Sequence, residues 1–230
     1  LFKDLRQLVG GTGMSGNRLL RSTAVFSSMT FISRVSGLVR DQVYAAVFGA
    51  GPAMDAFVVA FRIPNFMRRL SAEGSFSMAF VPVLAEYKAK GDQVAVKALI
   101  DRVAGTLSAF LLVLVAAAVL AAPWVVRVFA PGFSVGSEQA RLATEMLRIT
   151  FPYVLFISLA SMAGGILNSY QRFAIPALSP VLMNLSMIAA ALGLVPLMAG
   201  WGYEPVVAPA WGVFAAGILP GLLAIGCYML

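Results

Sequence analysis

The sequence predicts an all-α, polytopic membrane helix bundle with six transmembrane helices. Three observations carry that reading. Only 12% of the 230 residues are charged and 60% are hydrophobic, whereas a soluble domain carries about 25% charged residues. Mean hydropathy is +0.87. Apolar stretches recur that exceed the roughly 20 residues needed to cross a bilayer as helix, and several hold no charge at all, among them Val103–Val126, Ile149–Gln171 and Pro205–Leu230.

Taken in order, residues 1–21 are expected to form a cytoplasmic N-terminal arm. Within it, residues 1–13 (LFKDLRQLVGGTG) read as an upstream extension or flexible segment, because Met14 begins a more usual start. Arg18 and Arg21 precede an apolar run in the manner of a signal peptide. Arg34 interrupts that run and no small-residue cleavage site follows, so the run reads as an uncleaved first helix. A six-helix lobe then occupies 22–230, with spans at about 22–48, 55–88, 103–128, 146–171, 174–198 and 205–230. The first two spans are long enough but broken by charge and proline. Trp201 and Tyr203 mark an interfacial belt after the fifth.

The loops set the orientation. Lys3, Arg6, Arg18 and Arg21 precede span one, Lys88, Lys90, Lys97 and Arg102 lie between spans two and three, and Arg172 ends span four. The opposite loops hold Arg141, with Arg127 and Arg148 near their edges. The positive-inside rule then puts the N-terminus in the cytoplasm. Ala160/Gly164 and Ser161/Gly165 are small-xxx-small pairs of the kind that let helices approach in lipid. Asn184-Leu185-Ser186 matches a glycosylation sequon but lies mid-span, where it is expected to stay unmodified.

Five arginines stand out. Arg34 and Arg40 interrupt span one; Arg62, Arg68 and Arg69 interrupt span two. An arginine at the bilayer centre costs about 2.5–3.5 kcal/mol on the translocon scale, so these side chains are expected to face a water-filled cavity. In SRVSGLVRD (33–41), Arg34, Gly37 and Asp41 share a helical face; in span two, Asp55, Arg62 and Arg69 fall seven apart and Glu73 follows Arg69 by four. A purely structural reading pairs Arg34 with Asp41, Arg62 with Asp55 and Arg69 with Glu73, which lowers the cost of each charge. Three acids leave two of the arginines uncompensated. Excess guanidinium inside a membrane points to an anionic ligand, and its planar donor fork suits phosphate. Arg34, Arg40, Arg68 and Arg69 are the candidate substrate-binding residues. Ser33, Asp41, Asp55, Arg62, Asn65 and Glu73 are assigned to supporting or gating them.

Other chemistries find little support. Histidine is absent and Cys227 is the lone cysteine, so no intrachain disulfide, His/Cys metal site or histidine-based triad is expected. No phosphate-cradling loop with its lysine is present, and no nucleophile–base pair stands out. The net charge of +7 does not signal nucleic acid, because the basic residues sit beside or inside apolar runs. No cofactor is called for; coupling to membrane potential or to a monovalent ion is left open.

The run SRVSGLVRDQVYAAVFGAGPAMDAFVVAFRIPNFMRRLSAEGSFSMAFVPVLAEYKAK (33–90) strongly resembles the N-terminal region of the MurJ (MviN) lipid II flippases. APWVVRVFAPGF (122–133), ITFPYVLFISLASMAGGILNSYQRFAIPALSP (149–180) and NLSMI (184–188) resemble that family too, so the likeness covers nearly all of 18–230. It implies the first lobe of the multidrug/oligosaccharidyl-lipid/polysaccharide exporter fold, with two lobes around a central cationic cavity. It also implies transport of lipid II, the undecaprenyl-diphosphate disaccharide-pentapeptide, from the inner to the outer leaflet, with membrane lipids around the bundle. Arg34 and Arg40, and Arg68 and Arg69, match arginines important in the family; Asp55 and Glu73 match family acids, and Arg62 sits where a basic residue is expected. The family pattern includes a second, C-terminal lobe that these residues do not contain, and alternating access requires both bundles. Rival expectations are a flippase for another polyprenyl-diphosphate-linked sugar, a drug exporter, a non-transporting scaffold or regulatory half, and a membrane enzyme acting on lipid phosphates.

Overall fold

Glycine and proline divide the chain into helices much as its hydropathy does, but not at the same places. The computed structural model describes residues 16–68, 76–170 and 174–229, with side chains described for 27–67, 79–170 and 178–221. Among the described residues the architecture is all-helical. Helix α1 spans Gly16–Phe48, α2 Pro52–Arg68, α3 Phe76–Ala89, α4 Gln93–Leu120, α5 Ala122–Phe129, α6 Glu138–Thr150, α7 Tyr153–Ser169 and α8 Ala174–Gly200; a 3-10 turn at Pro205–Val207 leads into α9, Ala208–Met229.

Local signals account for most boundaries. Helix α1, 33 residues long, rises about 50 Å at 1.5 Å per residue. It stops at Gly49, whose φ of 65° only glycine adopts without strain, and Pro52 opens α2 with its fixed φ. The stretch expected as one span over 55–88 contains two helices, α2 and α3, with residues 69–75 between them outside the described residues. Asp92 caps α4, its Oδ1 accepting from the Val94 and Ala95 amides at 2.9 and 3.0 Å. Ser137 caps α6 through Oγ and the Ala140 amide at 3.2 Å.

That last cap explains a shifted boundary. The expected fourth span begins at 146, yet the helix begins at Glu138. Charge ended the apolar run in the sequence, but α6 is amphipathic. Leu142, Ala143, Met146 and Leu147 are buried, while Glu138, Arg141 and Arg148 are exposed on the other side. At Phe151–Pro152, both in αR conformation, α6 passes into α7 with a gap in the hydrogen-bond ladder, since Pro152 has no amide to continue it.

Three stretches are long and apolar enough to cross a membrane: Gln93–Leu120, Glu138–Ser169 and Leu178–Gly200; Pro205–Gly221 is a shorter apolar one. They occupy different surroundings. Helix α4 is peripheral and turns Phe110, Val113 and Leu120 outward, as a lipid-facing helix does. Helix α7 is central, burying Tyr153, Val154, Ile157, Met162, Ile166 and Leu167. The main core joins α2, α6, α7, α8 and α9 through Phe57, Ile63, Met146, Tyr153, Met187 and Val213. A smaller one joins α3, α4 and α7 through Phe80, Leu84, Ile100 and Met162. Thr150 Oγ1, fully buried, donates to the Ala60 carbonyl at 3.2 Å and ties α6 to α2.

A close helix contact lies at a glycine outside the small-residue pairs singled out in the sequence. A Cβ on Gly212 would lie 2.8 Å from Ala190 Cβ and 3.0 Å from Met187 Cα, so α9 meets α8 nearly backbone to backbone. At Gly165 a Cβ would meet only Val81 Cγ2 at 3.6 Å, an ordinary contact. Gly212→Val is therefore expected to separate α8 from α9 and cost about 1–3 kcal/mol as an overpacking substitution, read as a lower melting temperature. Gly193→Ala, on the same α8 but with nothing within 4 Å of its Cβ, is expected to leave the melting temperature equal or slightly higher.

Candidate functional site

Helix α1 is joined to the rest of the bundle mainly through α8, and α2 mainly through α6. Between α1, α2 and α8 lies a cavity of about 250 Å³ lined by Arg40, Asp41, Tyr44, Met54, Phe57, Val58, Phe61, Arg62, Asn65 and Met187. Its walls are aromatic: Phe57 and Phe61 stack with centroids 5.9 Å apart, and Tyr44 meets Phe57 edge-on at 5.8 Å. Its polar groups come from one turn of α1 and one turn of α2.

Arg40 is the best-anchored charge. Its Nε and Nη2 both donate to Asp41 Oδ1, at 3.0 and 2.7 Å, and its Nη1 donates to Asn184 Oδ1 at 3.0 Å. The Arg40 side chain is 20% exposed and Asp41 64%. The pair thus sits at the mouth of the cavity, with the carboxylate toward the open side. Asn184 is only 4% exposed. Its other end, Nδ2, donates to the Ser33 carbonyl at 3.1 Å and to Ser36 Oγ at 3.0 Å. One carboxamide on α8 therefore uses its acceptor on the guanidinium and both donors on the α1 backbone and a hydroxyl, which is how a buried amide avoids an unpaired polar atom. Tyr44 OH adds a longer bond to the Met187 carbonyl, 3.4 Å.

The structure corrects the pairing expected from spacing. Asp41 pairs with Arg40, not with Arg34, and Arg62 makes no ion pair with Asp55 among the described residues. Both expected pairs were seven residues apart. That puts them on one face but separates them by about 10.5 Å of helical rise, whereas Arg40 reaches its neighbour's carboxylate by curling back. Arg34 and Arg62 are exposed and neither has an ion pair among the described residues. Asp55, also exposed, lies in the first turn of α2, where a carboxylate favours the positive helix end.

Of the sequence-chosen residues, Arg40, Asp41, Arg62 and Asn65 meet around one cavity, and Ser33 joins them through its carbonyl and Asn184. Arg34 and Asp55 are not part of the lining. Arg68 closes α2, while its side chain, Arg69 and Glu73 lie outside the described residues. The residue that sequence reasoning missed is Asn184. Its signal was available: it is the single carboxamide in the uncharged run 173–203, and a mid-span amide needs a partner. It had been read only as a sequon. Among the described lining residues two guanidiniums stand against one carboxylate, between aromatic walls, and a guanidinium fork is chemically suited to a phosphate or another compact anion. No group of three metal-ligating side chains occurs among the described residues.

Comparison with known proteins shows what the chain is similar to. A family profile described as "Lipid II flippase MurJ" matches residues 44–229, beginning just after the Arg40–Asp41 pair. The lipid II flippase MurJ of Burkholderia cenocepacia is 45% identical over 207 residues, covering 90% of this chain and 39% of its own length. Proteins named probable lipid II flippase MurJ from Haemophilus influenzae and Vibrio cholerae are 43% and 42% identical, covering 86% and 90% of this chain and 39% and 40% of their own. The chain therefore spans about two fifths of the length of these curated relatives. A solved structure titled "Lipid II flippase MurJ, inward closed conformation" superposes with a TM-score of 0.74 at 30% identity, over 88% of this chain and 41% of that one.

Asn184→Ala would strip the Ser33 carbonyl, Ser36 and Arg40 of one shared partner. It is expected to lower stability by about 1–3 kcal/mol, the usual cost of orphaning buried hydrogen-bonding groups. Arg34→Ala, at an exposed side chain without an ion pair among the described residues, is expected to stay within about 0.5 kcal/mol. Thermal unfolding of the two purified variants checks the contrast.

Proposed function

The chain belongs to the lipid II flippase MurJ family, and from that premise we propose that it is the N-terminal lobe of a transporter carrying lipid II from the inner to the outer leaflet of a bacterial inner membrane. The observation that carries the proposal is the cavity between α1 and α2, where Arg40 and Arg62 outnumber the single carboxylate Asp41. In this reading the chain crosses the membrane six times with its N-terminus in the cytoplasm, and α2 with α3 makes the second crossing. The five arginines, Arg34, Arg40, Arg62, Arg68 and Arg69, draw in the diphosphate. The undecaprenyl tail stays in the bilayer.

The second lobe completes the site. Helix α1 turns Phe31, Val35 and Leu38 outward, spaced i, i+4, i+7 along one face, and that face is available to a second bundle. Rocking of the two lobes about the cavity then presents the head group on alternate sides. The activity is transport of an unaltered substrate. Returning an empty cationic cavity with the membrane field is worth about 2.3 kcal/mol per elementary charge per 100 mV, so the potential supplies a direction.

The test is depletion rescue by the full-length protein, with lipid II exposed at the outer surface as the readout and membrane levels checked for each variant. Wild type is expected to rescue. Arg34→Ala, Arg40→Ala, Arg62→Ala and Arg69→Ala are each expected to cut exposure by about tenfold or more, the worth of one charge-assisted hydrogen bond. Arg40→Lys is expected to fall well below wild type, because an ammonium cannot hold Asp41 and Asn184 with one planar fork. Undiminished rescue by every alanine variant would make these arginines structural and remove the cationic-site reading.

A further inference from the structure

The basic residues that break the positive-inside pattern converge on a second cavity. Arg127 in the last turn of α5, and Arg141 and Arg148 on α6, line a space of about 660 Å³ together with Ser137, Thr144 and Glu145. It opens at the C-terminal end of α4, remote in sequence from the lysines at 88, 90 and 97. No part of the transport reading uses these residues.

Each arginine has an internal contact, but none uses up its donors. Arg127 lies over the Trp124 ring at 5.1 Å. Arg141 reaches Glu145 at 3.5 Å and Glu138 at 3.9 Å, as an exposed i, i+4 and i, i+3 pair with the arginine 59% exposed. Arg148 Nε donates to the Val119 carbonyl at 3.4 Å, holding α6 to the end of α4. Exposed ion pairs of this length are weak. Two carboxylates do not balance three guanidiniums, and Glu138 is not part of the cavity wall.

Apolar side chains flank the arginines. Phe133 and Val135 line the cavity, and Trp124, 68% exposed, lies with the exposed Val128 and Phe129 elsewhere on α5, while Ala122 and Val126 anchor that helix to the core. A short helix with an outward tryptophan beside an arginine, placed where an apolar helix ends, has the make-up of an interfacial segment. Helix α4 carries outward-facing apolar side chains up to Leu120, just before α5 begins. Guanidiniums next to a short helix with exposed aromatic and apolar side chains, at that level, match a phosphodiester that is itself attached to acyl chains.

We propose that the α5–α6 cavity, built on Arg127, Arg141 and Arg148, binds the head group of an anionic phospholipid whose acyl chains lie along the exposed side of α4. The site is separate from the α1–α2 cavity and does not depend on what that cavity transports. Occupancy would fix α5 at the membrane interface and hold the α4–α6 junction.

The experiment uses the full-length protein in phosphatidylcholine nanodiscs doped with phosphatidylglycerol. After mild detergent extraction, co-purifying lipid is quantified by mass spectrometry. Wild type is expected to retain phosphatidylglycerol over phosphatidylcholine, and the Arg127→Gln/Arg148→Gln double variant is expected to lose about tenfold of that preference. Its melting temperature in pure phosphatidylcholine reports whether it folds. A photoactivatable phosphatidylglycerol on wild-type protein provides the variant-independent measurement, with label expected on peptides within 110–148. Label confined to other segments would overturn the proposal. So would equal retention by a folded double variant, or binding of inorganic phosphate with no preference between the two lipids, which would make the site one for a soluble anion.

Discussion

A guanidinium among apolar helices must find acceptors, and in this bundle that requirement determines how the first helix is attached. Arg40 meets it with Asp41 on its own helix and Asn184 on α8. Asn184 in turn holds the Ser33 carbonyl and Ser36. The polar tie therefore spans two turns of α1 and fixes both the rotation and the height of that helix against α8. Gly37 lies inside the same two turns, where a Cβ would already stand 3.5 Å from Asn184 Nδ2. Apolar packing alone would let α1 slide, because lipid is as apolar as the neighbouring helix and gives no hydrophobic preference for one register.

The second constraint is steric and lies on α9. Gly212 brings α9 against α8 at Ala190 and Met187, and at Gly217 a Cβ would stand 3.1 Å from Tyr153 Cδ2 and 3.2 Å from Tyr153 Cα on α7. One helix thus packs two neighbours at close range through two side-chain-free positions about a turn and a half apart. The consequence reaches the site. Met187, which lines the α1–α2 cavity and accepts from Tyr44 through its carbonyl, has its own Cα against Gly212. The position of the cavity's α8 wall is therefore set from behind by α9.

Much of this was legible in the sequence, and the limits have physical causes. Hydropathy located α8, but of α4 it marked only the uncharged part: that helix begins at Gln93, ten residues before the expected span, and ends at Leu120, the rest of the span falling in α5. It misjudged α6, because a helix that buries Leu142, Ala143, Met146 and Leu147 tolerates charge on its far face, so its start is marked by the Ser137 cap and not by the last arginine. Of the arginines singled out, Arg40 and Arg62 line one cavity with Asp41 and Asn65. Their partners were misread because helical phase specifies a shared face and leaves axial distance out. Asn184 was missed for a different reason. It lies some 140 residues from Arg40, and only tertiary packing of α1 on α8 makes them neighbours.

The two arginine-lined cavities follow one rule of charge balance. In the α1–α2 cavity Asp41 occupies part of Arg40's donor fork; in the α5–α6 cavity Glu145 takes up part of Arg141's, with Glu138 reaching Arg141 from outside the wall. A set of bare guanidiniums would hold a diphosphate too firmly to release it, and would be costly to keep in a low-dielectric bundle when empty. A carboxylate beside each cluster lowers the cost of the empty state and competes with the ligand when it is present. Asp41 is mostly exposed and bonded to the arginine through a single oxygen, so a ligand that displaces it would break contacts to only one carboxylate oxygen.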